Sequence, residues 1–99
     1  MYTNFINKKV IVRGDRSGVF FGTLAQKEGT EVKLVNCRRL WRWYGACSIS
    51  QLAKDGTTKP NDCMFTVTVN EIIITDIIEM ILCTDKAVDS IEKVKEWKK

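Results

Sequence analysis

The chain contains no histidine, only one proline, and no pair of cysteines at a metal-binding spacing. Without histidine it lacks the commonest general base and the usual partner of a serine or cysteine nucleophile, so binding without chemistry becomes the leading class. Cys37, Cys47, Cys63 and Cys83 stand ten, sixteen and twenty residues apart, with no Cys-x-x-Cys pair, which argues against structural zinc. All four read as structural thiols, and neither a metal nor a cofactor is expected. No apolar run suits a membrane span, because the longest region, Ile72 to Cys83, is short and interrupted by Asp76 and Glu79. Met1 to Asn7 lack the basic start and apolar run of a signal peptide, so a soluble cytoplasmic protein is expected. Internal repeats, low-complexity tracts and phosphate-binding glycine motifs are missing too.

What is present fits one domain over residues 1–99, a length that can bury enough surface to fold without disulfides or metals. The net charge of +4 is uneven. Residues 1–60 hold eleven Lys or Arg and four Asp or Glu, giving +7, whereas residues 61–99 hold five and eight, giving −3. The N-terminal part would attract anions.

Asn36 to Ala46 concentrates three of the five arginines and two of the three tryptophans in eleven residues. With the period of a strand, Arg39, Trp41 and Trp43 share one face, and Arg38, Leu40, Arg42 and Tyr44 the other. Guanidinium groups suit phosphate, and tryptophan offers a flat face to a base or to the guanidinium itself. The competing reading is structural: a small β domain can bury a tryptophan as an anchor and lay arginine over it as a shield.

Along the chain, Lys8 to Arg13 reads as a first strand and Gly14 to Gly18 as a turn. Val19 to about Gln26 is a second strand, with Gly22 marking a bend or a close approach. Glu28-Gly29-Thr30 turns the chain into a third strand that enters the arginine-tryptophan segment. Ser48 to Lys54 suits a short helix capped by Ser48 and closed by Gly56. Met64 to Val69 alternates as a fourth strand, and Asn70-Glu71 is expected to turn. Ile72 to Cys83 suits a long fifth strand with a bulge near Thr75-Asp76, a helix over Ile72 to Ile81 being the alternative. Thr84 to Trp97 reads as a C-terminal helix whose Trp97 packs inward. The expected fold is α+β, mainly β: a small curved antiparallel sheet or an SH3- or Sm-like barrel, with a short helix and a C-terminal helix.

The Arg38 to Ala46 segment, with Val10-Ile11-Val12-Arg13, Gly18 to Gly22 and the Phe65 strand, resembles a family of small phage proteins that includes the Thoeris anti-defence sponges. The resemblance covers nearly the whole chain, and Arg-Arg-Leu-Trp is its most specific part. It implies sequestration, without degradation, of the messenger glycocyclic ADP-ribose in the cytoplasm of an infected bacterium. It also implies a homo-oligomer, a dimer or a hexamer built of dimers, and a second activity toward cyclic trinucleotides. The chain departs from the family at Arg42, where tyrosine is common, and at Phe20, where histidine is common. The first change adds a charge and the second removes a polar donor.

For such a ligand, Arg38, Arg39 and Arg13 are candidates for the pyrophosphate, and Trp41, Trp43, Phe20, Phe21 or Phe65 for the adenine, with Arg42 near the pocket. Nanomolar binding requires roughly 12 kcal/mol, which a site between two subunits would help to supply. A small basic barrel that binds single-stranded nucleic acid is the main alternative, and a structural phage protein with an aromatic interface is another. An enzyme ranks last.

Overall fold

The computed structural model describes residues 1–99. After a single 3-10 turn (Thr3–Phe5) come strands β1 (Lys9–Gly14), β2 (Val19–Glu28) and β3 (Glu31–Arg42), helix α1 (Ile49–Asp55) and a second 3-10 turn (Pro60–Asp62). Strands β4 (Met64–Phe65), β5 (Val69–Ile74) and β6 (Ile77–Leu82) and helix α2 (Asp85–Glu92) complete the chain. The architecture is α+β, mainly β. All pairings are antiparallel, in the order β4-β3-β2-β1-β6, and β5 pairs with the first part of β3.

The sequence explains the first half directly. The β-branched run of β1 and the long β2 are joined by the Asp-Arg-Ser-Gly turn, closed by Gly14 N–H donating to the Gly18 carbonyl at 2.8 Å. Gly29, at φ 59°, makes the tight turn into β3. Gly22 faces Cys37 so closely that a Cβ would lie 3.1 Å from its Cα and Cβ, and here the two backbones must approach. Opposite that contact the register slips by one residue, and Asn36 takes a left-handed φ of 50°. This bulge bends the β2–β3 hairpin over itself and changes which residues of β3 face each side.

Strands β5 and β6 are two halves of one bent strand. The first half pairs with β3 and the second with β1, so the sheet curls around a core without closing into a barrel. The break falls at Thr75-Asp76, where the apolar parity changes. Asp76 holds it: its carboxylate accepts Arg16 N–H at 2.8 Å, Ser17 N–H at 3.0 Å and the Ser17 hydroxyl at 2.6 Å.

Side chains alternate between the two faces of the sheet, and β1, β2 and β3 bury residues on both. Val10, Val12, Phe20, Leu24, Leu34 and Ile74 fill the inside of the curl. Ile11, Phe21, Leu40 and Phe65 pack on the other face against Leu52 of α1 and Ile91 of α2. Each such fully buried side chain contributes roughly 1.5–3 kcal/mol. Ser48 caps α1 by accepting Gln51 N–H, and Thr84 caps α2 by accepting Ala87 N–H.

The second half departs from expectation in three places. The fourth strand stops after two residues, leaving Thr66–Thr68 irregular, and Asn70-Glu71 lies within β5 instead of turning. Helix α2 ends at Glu92, five residues before Trp97, which is 49% exposed. The Arg38 guanidinium lies at that end. It reaches the Ile91 and Val94 carbonyls at 3.0 and 2.9 Å, and so caps the helix from a distant strand.

Candidate functional site

The nine candidate residues divide sharply. Arg38 is only 5% exposed and lies in the core. Its guanidinium donates to the carbonyls of Thr66, Phe65, Ile91 and Val94 at 2.9–3.0 Å, and its charge rests 5.5 Å from the Phe65 ring. Burial lowers its pKa. Four of its five N–H groups are thus taken by backbone carbonyls, which makes this arginine a structural brace. Phe21 and Phe65 are fully buried in the helix-bearing core, which corrects their expected place beside the adenine. Arg13 is paired with Glu79, Nε to Oε1 at 2.6 Å, and does not line the cleft described below.

Arg39 is different. It follows Arg38 in β3 and therefore points to the opposite face. Its guanidinium lies over the Phe20 ring, 4.4 Å from the centroid, and its Nη1 donates to the Ser17 carbonyl. No carboxylate pairs with it, nor with Arg16 or Arg42. A cation over an aromatic face is held there by the ring quadrupole, and of the Arg39 guanidinium nitrogens Nη1 alone has a protein acceptor.

Arg39 stands where three hollows meet. One of about 340 Å³ is lined by Arg16, Ser17, Phe20 and the Ile72–Asp76 stretch. A second, of about 120 Å³, is apolar, with Phe20, Cys37, Val67, Val69 and Ile72 in its wall. The third, of about 230 Å³, runs from Arg16 and Gly18 to Trp41 and Trp43. Phe20 is thus a core residue whose ring still forms floor beneath Arg39. Trp41 is 60% exposed and offers a flat face, whereas Trp43 leans partly on the helix-bearing core. Arg42 is exposed at the end of β3 and does not line these hollows.

Arg16 lines this cleft although the sequence presents it only as part of the Gly14–Gly18 turn. Its signal was an arginine inside a glycine-flanked turn. Gly18, at φ 108°, lets that turn fold back over Arg39, and a Cβ there would come within 3.4 Å of Arg39 Nη1. Asp76 also borders the cleft, but its carboxylate is occupied by the Ser17 hydroxyl and two backbone N–H groups, which hold its pKa down. Arg16 and Arg39 against Asp76 leave the cleft with an excess of one positive charge.

Two other hollows carry acidic groups beside their lysines. The hollow of about 330 Å³ beside Lys27 and Lys33 also carries Glu28 and Glu31. That of about 440 Å³ beside Lys8 and Lys9 carries Asp85, and Lys9 is paired with Glu92 at 3.6 Å. No helix is long and apolar enough to cross a membrane.

The Arg39 cleft offers two guanidinium groups, a chemistry suited to anions, beside flat and apolar surface from Phe20 and Trp41. It presents no histidine and no free carboxylate in position to move a proton. No curated protein matches the chain. Residues 7–91 match a domain of unknown function, DUF6948, whose description assigns no activity. The chain belongs to the DUF6948 family.

Proposed function

We propose that the protein is a non-catalytic binder that sequesters a cyclic nucleotide messenger of the glycocyclic ADP-ribose class, as a phage sponge against Thoeris-type signalling. One observation carries this reading. Arg39, unpaired and stacked on Phe20, sits between a cationic turn and an aromatic wall. A pyrophosphate would take the remaining donors of Arg39 and Arg16, and a base would take Trp41 or the apolar hollow beside Phe20. Cyclic trinucleotides are a second ligand class within the same proposal.

The cleft is shallow, and a homo-oligomer belongs to the proposal for that reason. Strands β5 and β6 each leave one edge unpaired, with Ile73 and Ile78 more than half exposed. Such an edge invites a second copy, which would wall the cleft from the β5 side. A gel-filtration and scattering measurement that found only monomers with ligand bound would remove this part.

A second reading is single-stranded nucleic acid. Trp41, Arg42 and Tyr44 form an open surface at the end of β3, which suits stacking along a strand. Titration of the purified protein with glycocyclic ADP-ribose, a cyclic trinucleotide and a short single-stranded DNA separates the two. Submicromolar binding of a cyclic nucleotide, recovered chemically intact after denaturation, supports the sponge. Steeply salt-dependent DNA binding without it supports the alternative.

A further inference from the structure

Thr66 and Val67 form one wall of the Arg39 cleft, and the stretch Thr66–Thr68 belongs to no strand. Thr66 holds Arg39 on both sides of the backbone: its N–H donates to the Arg39 carbonyl at 3.0 Å, and its Oγ1 accepts Arg39 N–H at 3.0 Å. The rest of this wall is held from behind by the C-terminal tail. Trp97 N–H donates to the Phe65 carbonyl at 2.8 Å, and Glu96 bridges to Phe65 in parallel. Glu96 Oε2 accepts Thr68 N–H at 3.1 Å. Arg38 ties the same segment to α2 through the Phe65 and Thr66 carbonyls.

We propose that the tail after α2 is a clasp that sets the geometry of the cleft, with Arg38 and Glu96 as positioning residues acting on Arg39 through Thr66. The proposal rests on the Arg39 cleft being the binding site. Burying a cation carries a desolvation cost that offsets much of what its hydrogen bonds contribute to net stability. What Arg38 supplies is direction: four carbonyls from three segments converge on one planar group. Glu96 stands on the far side of the same wall and fixes Thr68. Together they tie down a segment that has no strand ladder. Loosening the tail lets Thr66 drift, and Arg39 loses its backbone register against Phe20.

The test uses full-length Glu96→Ala, Glu96→Gln and Trp97→Pro, the last removing the N–H that reaches Phe65. Backbone amide exchange of residues 66–68 and the Arg39 Nε–H signal are followed by NMR beside the unfolding midpoint. Glu96→Ala and Trp97→Pro are expected to speed exchange at 66–68 and shift the Arg39 signal while β1 and β2 stay protected. Glu96→Gln, which keeps an acceptor, is expected to restore both. Adenosine diphosphate, an anion joined to a flat base, serves as the titrant. Its affinity should fall about tenfold in Glu96→Ala, the scale of one lost hydrogen bond. Unchanged exchange at 66–68, or looser exchange with an unmoved Arg39 signal, overturns the clasp. Absence of adenosine diphosphate binding to the unaltered protein counts against the binding reading alone, and the two ligand-free measurements then decide the clasp.

Discussion

Arg38→Met removes a guanidinium from the centre of the fold and leaves an apolar chain of similar reach. Four carbonyls lose a donor, but two of them keep another: Phe65 has Trp97 N–H, and Ile91 has Val94 N–H at 3.2 Å. The carbonyls of Thr66 and Val94 are left without a protein partner. Each stranded buried acceptor costs about 1–3 kcal/mol, so the two cost roughly 2–6 kcal/mol. Relief of the buried charge offsets part of this. A net loss of about 3 kcal/mol is expected, a large share of the roughly 5–15 kcal/mol available to a domain of this size. Urea unfolding followed by tryptophan fluorescence measures it as a lower midpoint with an unchanged slope. Arg38→Lys should recover little, because an ammonium cannot span four carbonyls. A loss below about 1 kcal/mol, well under the cost of even one pair of stranded acceptors, together with abolished nucleotide binding, would refute the reasoning and return Arg38 to the ligand.

Two further outcomes follow from the ionisable groups. Asp76 is held below the ordinary carboxylate range by Ser17 and by the Arg16 and Ser17 amides, so it favours the folded state at neutral pH. That contribution is lost as the pH falls below about 4 toward the lowered folded value, and Asp76→Asn should flatten the acid limb of a stability–pH curve. A wild-type curve identical to that of the variant would contradict this. Burial pushes the Cys37 and Cys83 thiols up to about 12, and Cys47 is exposed. Iodoacetamide on the folded protein should alkylate Cys47 first and spare Cys37 and Cys83, as read by peptide mass spectrometry.

Much of the fold was legible because its signals are local. The glycine and Asp-Ser turns mark out β1, β2 and the start of β3, and Ser48 and Thr84 announce their helices through short-range capping. What was not legible depends on contacts far apart in sequence. Thr84 to Trp97 carries a helical stripe, yet the helix stops where Arg38, more than fifty residues earlier, takes its terminal carbonyls. Met64 to Val69 alternates as a strand should, but the tail replaces the ladder after Phe65. For the site, alternation separated Arg39 and Trp41 from Arg38 and Leu40. It did not reveal which face was buried, because both faces of β3 meet a core. Phe21 and Phe65 looked available for the same reason, and Arg16 was hidden by the turn that presents it.

Isothermal titration of glycocyclic ADP-ribose into Arg39→Ala and Arg42→Ala, beside the unaltered protein, tests the central claim most directly. Both variants remove one cation from the same strand, so net charge is matched, and the unfolding midpoint of each is measured beside the titration. The account predicts that Arg39→Ala abolishes binding and that Arg42→Ala changes it little. Equal losses in both variants, or full binding by Arg39→Ala, would contradict a site organised around Arg39.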